Sequence, residues 1–249
     1  MSSAISRSGH IPESDRQRFM HIPFDVPDGA RQLQFTVRYN DQISGDPSVT
    51  GGNVLDIGVF DANGIDTGGH GFRGWSGSDQ LAFVIGETWS TPPYRAGSLQ
   101  PGTWHLLLSA YKVAPDGLDW EVGIDIDPDP AVEPGSTTPD PKPVVIERAA
   151  ALPGWYRGDL HAHTIYSDGD ATPRQLAELA RARGLDFFGI TDHNRSQDSA
   201  GLVPTGARWP LLVPGVEVTT YAGHFNVWGT DAWYEFREPS QAGLQGAVD

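Results

Sequence analysis

Residues 158–169 read GDLHAHTIYSDG, with two histidines one residue apart and an aspartate five residues after the second. Residues 157–163 are predicted as a strand. Because a strand directs residues i and i+2 to the same face, the rings of His161 and His163 would converge on one point. That arrangement is typical of a metal site, although a solvated loop or a hydrogen-bonded pair of core histidines would give the same sequence pattern.

Three later segments also place imidazole or carboxylate groups on apolar strands. They are residues 185–194 (LDFFGITDHN), 211–218 (LLVPGVEV) and 223–228 (GHFNVW). In βα folds, ligands bind at the carboxyl ends of parallel strands, so these groups are expected to meet at one edge of a sheet. The sequence therefore predicts a metal centre with six candidate ligands: His161, His163, Asp168, His193, Glu217 and His224.

The composition excludes several kinds of site and partner. The chain has no cysteine, so disulfides and thiolate ligands are absent and a bound metal depends on His, Asp and Glu. A net charge of −15 disfavours a long nucleic acid as partner and leaves a small-molecule substrate as the expected ligand. The sequence has neither an apolar run of about 18 residues nor a signal-peptide pattern. We therefore expect no membrane association and a cytoplasmic location.

Residues 1–127 are predicted to form a β-sandwich, jelly-roll-like, because short alternating segments are separated by turn residues. In residues 31–39 (RQLQFTVRY), for example, apolar side chains recur at every second position. Core packing is the favoured role for four tryptophans of this region, and stacking on a bound sugar is the alternative: Trp75, Trp89, Trp104 and Trp120. Residues 128–149 are predicted to be a Pro-rich linker, because proline recurs there without any apolar period.

Residues 150–249 alternate strand and helix signals. Residues 172–175 (TPRQ) have the pattern of a capping box with proline at the first helical position, which predicts a helix from Pro173. Leu176, Leu179 and Ala180 are expected on its buried side. The predicted fold class is therefore multidomain, β plus α/β.

The motifs GDLHAHTIYSDG, ITDHN, PGVEV and GHFNVWG resemble those of the PHP (polymerase and histidinol phosphatase) superfamily of metal-dependent hydrolases. The segments FRGWSGSD, TPPYRAGSLQPGTWHLLLSAY and WEVGIDI resemble the domain that precedes the PHP domain in the CehA/McbA family of metallohydrolases. The resemblance implies an N-terminal β-sandwich followed by a partial distorted (β/α)7 PHP barrel, with two or three divalent metal ions (Zn, Mn or Fe) as cofactors.

The same resemblance implies a role for each candidate residue. His161 and His163 would hold a first ion, Glu217 would bridge the first and second, His224 would bind the second, and Asp168 and His193 would bind a third. Asp159 and Asp192 would accept a ring N–H and so fix the tautomer of a ligand, although Asp192 suits an N-cap equally well. Arg195 is a candidate substrate contact, since a guanidinium can bind an anion bidentately, or else a solvated loop arginine.

The sequence departs from that family at its end. Family members continue through further βα units that carry another histidine and a late Asp-x-His, whereas this sequence ends at Asp249. We therefore expect a PHP domain that is C-terminally incomplete. Open strand edges in such a domain favour a homo-oligomer.

The expected function is that of a PHP-type metal-dependent hydrolase, a phosphoesterase acting on a small phosphate ester through a metal-activated water. Hydrolysis of a carbamate or carboxylic ester on the same metal cluster is a second interpretation, because a Lewis acid polarises C=O as well as P=O. A third interpretation, of another class, is a non-catalytic glycan- or protein-binding sandwich joined to a relic metal domain.

Overall fold

The structure is a computed structural model that describes residues 3–66, 68–128, 131–133, 153–195, 203–204, 206, 209–230 and 232–238. Its contacts divide the chain into two compact units, Met1–Gly135 and Ser136–Asp249, and each is described by itself. Most of the segment predicted as a Pro-rich linker lies outside the described residues.

The first unit is built from strands joined by turns, with a 3₁₀ turn at Glu13–Asp15. Its strands are β1 (Ser3–Ile11), β2 (Phe19–Val26), β3 (Gln32–Tyr39), β4 (Val54–Phe60), β5 (Phe72–Gly77), β6 (Ala82–Gly86), β7 (Gly102–Lys112) and β8 (Leu118–Ile126). They form two antiparallel sheets in the orders β1-β8-β3-β6 and β2-β7-β4-β5. This strand order is that of a jelly roll. The unit is thus mostly β and sandwich-like, as the alternating pattern predicts.

Residues from both sheets share one hydrophobic core. Phe35 of β3 lies in the same buried cluster as Ile57 of β4 and Trp104 of β7, which belong to the other sheet. The alternation along β3 causes this arrangement, because its side chains at every second position point inward. Full burial of each large apolar side chain stabilises the fold by about 1.5–3 kcal/mol.

The four tryptophans assigned to core packing do not share one environment. Trp75, Trp104 and Trp120 are buried, as core packing requires. Trp89, which follows β6, is only half-buried. The interpretation as core residues therefore holds for three of the four.

The second unit contains a small mixed sheet and a helix. Its elements are β9 (Gly158–Asp159), α1 (Pro173–Ala182), β10 (Phe187–Ile190), β11 (Leu211–Thr220) and β12 (Gly223–Trp228). The sheet order is β12-β11-β10-β9, parallel from β9 to β11 and antiparallel between β11 and β12. The described residues thus do not show the partial (β/α)7 barrel that the resemblance implies, since they include only one α-helix.

The strand predicted over residues 157–163 is much shorter than expected. Only Gly158 and Asp159 pair with β10. The Asp159 carboxylate then accepts a hydrogen bond from the backbone N–H of His161 at 3.1 Å, which turns the chain out of the ladder. His161 and His163 therefore lie in the loop after β9 and not on a strand.

Helix α1 begins as predicted but faces the core differently. Thr172 is the N-cap, and its hydroxyl and the Gln175 side chain complete a capping box. Ala177 and Ala180 are buried against Phe188 of β10, whereas Leu179 is 52% exposed. At about 100° per residue, Leu179 lies roughly 130° from the centre of the face that these alanines define, so the prediction of its burial is wrong. No helix of the described residues is long and apolar enough to span a membrane.

Candidate metal centre

The candidate ligands lie together where β10 ends and β12 begins. His193 follows β10 and forms an isolated parallel β-bridge, through the backbone, with Glu217 of β11. The sequence pattern suggested ligands at carboxyl ends of parallel strands, but His224 lies at the start of β12. Antiparallel pairing places it opposite Thr219, near the carboxyl end of β11. The reversal of chain direction therefore brings a residue from the start of one strand to the same edge as the ends of the others.

Glu217 is the centre of the cluster. Its side chain is only 7% exposed, and its Oε2 lies 2.9 Å from His161 Nε2, 3.0 Å from His163 Nε2 and 3.6 Å from His193 Nδ1. Its other oxygen, Oε1, lies 3.2 Å from His224 Nδ1. One carboxylate therefore contacts four imidazoles from three different segments of the chain.

The spacing of three of these atoms fits a single divalent cation. The Nε2 atoms of His161 and His163 are 3.0 Å apart, and Glu217 Oε2 lies 2.9 Å and 3.0 Å from them. Zinc binds nitrogen and oxygen at about 2.0–2.1 Å, so two ligands of one ion lie about 3 Å apart. Imidazole and carboxylate donors also suit manganese and iron. The donor set and its dimensions thus fit the cation that the sequence predicts.

Two further groups of potential ligands adjoin this one. His163, Asp168 and His193 form one group, and His193, Glu217 and His224 form another, each with ligand atoms within 4.8 Å of one another. His193 Nε2 lies 3.6 Å from Asp168 Oδ2. All six predicted ligands therefore meet in one cluster, and His163, His193 and Glu217 each belong to two of its groups.

The electrostatics of the cluster are dominated by burial and by charge pairing. Burial would raise the pKa of Glu217, but the hydrogen bond from His161 and the nearby His193 and His163 outweigh it, so the pKa lies below 4.5. Burial lowers the pKa of His193 below 6.5 despite the opposing effect of Glu217. At neutral pH the carboxylate is therefore charged and the His193 imidazole is neutral, which are the forms that bind cations.

Asp192 supports the cluster through a hydroxyl group. Its buried carboxylate accepts hydrogen bonds from the Thr164 backbone N–H and hydroxyl, both at 2.7 Å, and from the Ser167 hydroxyl at 2.8 Å. Ser167 Oγ in turn lies 3.2 Å from His163 Nδ1. A hydroxyl has one proton, so Ser167 donates to Asp192 and accepts the Nδ1–H of His163. This leaves the lone pair of His163 Nε2 free to face Glu217 and His161.

The two aspartates make different contacts. The Asp192 carboxylate accepts from the Ser167 hydroxyl, which lies beside His163 Nδ1. Asp159 is exposed and accepts the backbone N–H of His161. Its carboxylate shapes the loop, because the short ladder of β9 leaves it beside the backbone and not beside a ring. The N-cap alternative for Asp192 would require residues 193–195 to form the first helical turn, and the structure has a bridge and a turn there instead.

Thr219 and Asn194 hold His193 in a similar way, and the sequence pattern did not identify either residue. The Thr219 hydroxyl contacts His193 Nδ1, so Nε2 is the nitrogen directed at Asp168. Asn194 pairs with the Thr219 backbone, accepting from its N–H at 2.8 Å and donating to its C=O at 3.1 Å. Thr219 follows Glu217 by two residues on the same strand, so period-two alternation could have placed its hydroxyl on the ligand face.

The side chain of Arg195 is largely buried, unlike that of a solvated loop arginine. Its side chain is 7% exposed, with Nη1 3.9 Å from Asp192 Oδ2. Its guanidinium carbon lies 3.3 Å from the centre of the Tyr166 ring. Arg195 therefore packs with the loop that carries Ser167 and Asp168, and this buried stacking does not present it to solvent as a solvated loop arginine.

The geometry of a carboxylate among four imidazoles agrees with a comparison of the sequence with known families. Residues 159–234 match the PHP domain. The matched PHP segment contains every candidate ligand and both aspartates. It covers less than a third of the sequence.

The chain is also similar to a known protein over a shorter stretch. The chain is 40% identical over 42 residues to "DNA polymerase/3'-5' exonuclease PolX" of Bacillus subtilis (strain 168). That stretch is 17% of this chain and 7% of the relative, so the chain spans only a small part of that protein. The PHP domain is associated with metal-dependent hydrolases, and the His and Glu cluster of the PHP segment is compatible with that chemistry.

Proposed function

We propose that this chain contributes a PHP-type metal-dependent phosphoesterase centre that hydrolyses a small phosphate ester. The observation that carries the proposal is the buried Glu217 carboxylate in contact with four imidazoles. Four imidazoles carry eight ring nitrogen atoms, more than one carboxylate can pair with, so without cations some ring nitrogens would lack a partner from Glu217. Two or three divalent ions would satisfy the remaining lone pairs.

The chain's own residues divide the work of binding those ions. His161, His163 and Glu217 Oε2 would hold one cation, Glu217 Oε1 and His224 a second, and Asp168 with His193 Nε2 a third. Bound there, divalent cations supply Lewis acidity for the ester and lower the pKa of water. Ser167 and Thr219 keep the Nδ1 nitrogens of His163 and His193 occupied, so each ring presents Nε2.

The cluster is also accessible in the part of the second unit that is described. The side chains of His161, Asp168 and His224 are 50, 62 and 48% exposed, whereas Glu217 is buried beneath them. A substrate can therefore approach from the exposed side while the carboxylate keeps its histidine contacts. The net charge of −15 favours a small ester over a long polyanion.

The nature of the substrate is argued from the chemistry and from the relative. The name of the Bacillus relative includes an exonuclease, an activity that breaks phosphodiester bonds. The resemblance of the N-terminal segments to the CehA/McbA metallohydrolases makes a carbamate or carboxylic ester the second candidate. We also propose that residues 1–127 form a sandwich domain and that residues 150–249 form a PHP domain.

Metal analysis combined with two substrates tests the proposal. The full chain is loaded separately with Zn²⁺, Mn²⁺ or Fe²⁺, dialysed, and analysed for bound metal and for hydrolysis of p-nitrophenyl phosphate and 1-naphthyl N-methylcarbamate. Bound metal with hydrolysis of the phosphate ester is the expected result. Hydrolysis of the carbamate without hydrolysis of the phosphate ester would contradict the phosphoesterase proposal and favour the carbamate or carboxylic ester hydrolase.

Glu217→Gln and a matched control variant separate the site from the rest of the chain. Glu217→Gln keeps the shape of the side chain but removes its charge, so we expect loss of at least one bound ion and of hydrolysis. Glu121→Gln changes an exposed glutamate of β8 in the first unit and is expected to behave as the unmodified chain. If Glu217→Gln retains the full metal content, the cluster does not bind metal as proposed.

A further inference from the structure

A cleft lies at one end of strands β8, β3 and β6. None of the residues named in its lining belongs to the metal cluster. It has a volume of about 810 Å³ and is formed by the turn before β3, the turn after β6, and residues 127–128 and 131–133. Its size is within the range of about 300–1,000 Å³ that small-molecule sites occupy. The half-buried Trp89, which does not join the core, lies in its wall.

Hydrogen bonds between the three segments hold the walls of the cleft in place. Asp127 Oδ1 accepts the backbone N–H groups of Arg31 and Gln32 at 2.8 and 3.0 Å. The Gln32 carboxamide pairs with Val132, donating to its C=O and accepting from its N–H, both at 2.8 Å. Glu87 donates its N–H to Arg31 C=O at 3.1 Å. The cleft is therefore preformed, which reduces the entropy lost when a ligand binds.

The side chains in the cleft keep their polar groups available. Arg31, Glu87 and Glu133 are exposed, and none of the ion pairs or side-chain hydrogen bonds between described residues involves their charged groups. The Trp89 ring likewise has no aromatic or cationic partner among the described residues. A guanidinium, two carboxylates and an indole thus line one cleft without being used by the fold.

We propose that this cleft binds a neutral saccharide. The apolar face of a sugar ring stacks on an indole, and its hydroxyls accept from a guanidinium and donate to carboxylates. Two free carboxylates against one guanidinium disfavour a phosphorylated ligand, because the net charge of the lining is negative. The saccharide site is independent of the metal centre and would tether or select a glycosylated target for the chain.

Binding of neutral oligosaccharides to the full chain tests this proposal. Titration calorimetry with cellohexaose, maltohexaose, xylohexaose and chitohexaose is expected to show at least one ligand with a dissociation constant below 1 mM, a threshold typical of about −4 kcal/mol of binding free energy. Inorganic phosphate serves as an anionic probe and is expected not to bind in the cleft. Binding of phosphate in the cleft, or of none of the four sugars, would overturn the proposal.

Variants locate the binding in this cleft. Trp89→Ala removes the stacking surface and is expected to raise the dissociation constant at least tenfold, whereas Trp155→Ala, which changes a fully exposed tryptophan of the second unit, is expected to leave it unchanged. Glu133→Gln alters an exposed side chain, so it tests the site without disturbing the core. Unchanged sugar affinity in both Trp89→Ala and Glu133→Gln would show that the cleft is not the site. Metal removal by a chelator should not alter the affinity, which separates this proposal from the hydrolase proposal.

Discussion

The orientation of His163 by Ser167 gives a prediction whose size follows from the structure. Ser167→Ala removes one oxygen atom, which lies 2.8 Å from Asp192 Oδ1 and 3.2 Å from His163 Nδ1. Asp192 Oδ1 keeps its 2.7 Å hydrogen bond from the Thr164 N–H, so the variant leaves no buried carboxylate oxygen without a partner. The free energy of unfolding should therefore fall by only about 1 kcal/mol, and the variant should fold.

The larger effect is expected on metal affinity. Loss of a group that orients a metal-binding histidine lowers metal affinity by about 10–100-fold. Asp168 Oδ1 lies 3.4 Å from His163 Nδ1 and offers a weaker replacement acceptor. We therefore expect the lower end of that range, about tenfold, which corresponds to about 1.4 kcal/mol of binding free energy.

Competition between the protein and a chelator for Co²⁺ measures this change. The absorption of bound Co²⁺ is followed through the titration so that each binding step is resolved, and urea unfolding of each variant reports its stability. Ser8→Ala, at an exposed serine of β1, is the matched control and should bind Co²⁺ as the unmodified chain does. An unchanged Co²⁺ affinity in folded Ser167→Ala protein would refute the assigned role of the hydroxyl. An equal loss of affinity at every bound ion would show that Ser167 supports the loop in general and not His163 in particular.

Two further predictions concern the stability of the second unit. Asn194 has a φ of 48° and makes two hydrogen bonds to Thr219. In urea denaturation, Asn194→Ala should therefore lower the free energy of unfolding by about 2–4 kcal/mol, and Asn194→Gly by about 1 kcal/mol less, because glycine adopts a positive φ without strain. Equal losses in the two variants would contradict the role of the backbone conformation. In metal-free, folded protein, the pKa of His193 lies below its ordinary value of 6.5. Below about pH 6.5 the unfolded chain therefore binds a proton on His193 that the folded state excludes, which favours unfolding. The lowered pKa of Glu217 also favours unfolding, but only below about pH 4.5. The melting temperature should therefore fall as the pH decreases from 7 to 5, and a constant or rising value would contradict the lowered pKa of His193.

Local sequence signals were sufficient for several features because those features depend on neighbours within a few residues. The alternation of residues 33, 35 and 37 predicts the inward face of β3, and the Thr172 and Gln175 spacing predicts the start of α1. The types of side chain in the short motifs likewise predict the six candidate ligands, which the structure brings into one cluster. The same local signals did not decide which side of α1 is buried, so the assignment of Leu179 failed.

The sequence by itself determined which chemical groups are present and which short segments carry them. Only the tertiary structure decided their arrangement: the antiparallel pairing of β12 placed His224 beside Glu217, and contacts across 25 or more residues assigned Ser167, Thr219 and Asn194 to the orientation of two histidines. The physical reason is that the position of each ligand atom depends on the register between strands and on loop hydrogen bonds that join distant parts of the chain. Neither quantity is expressed in a pattern that spans only a few neighbouring residues.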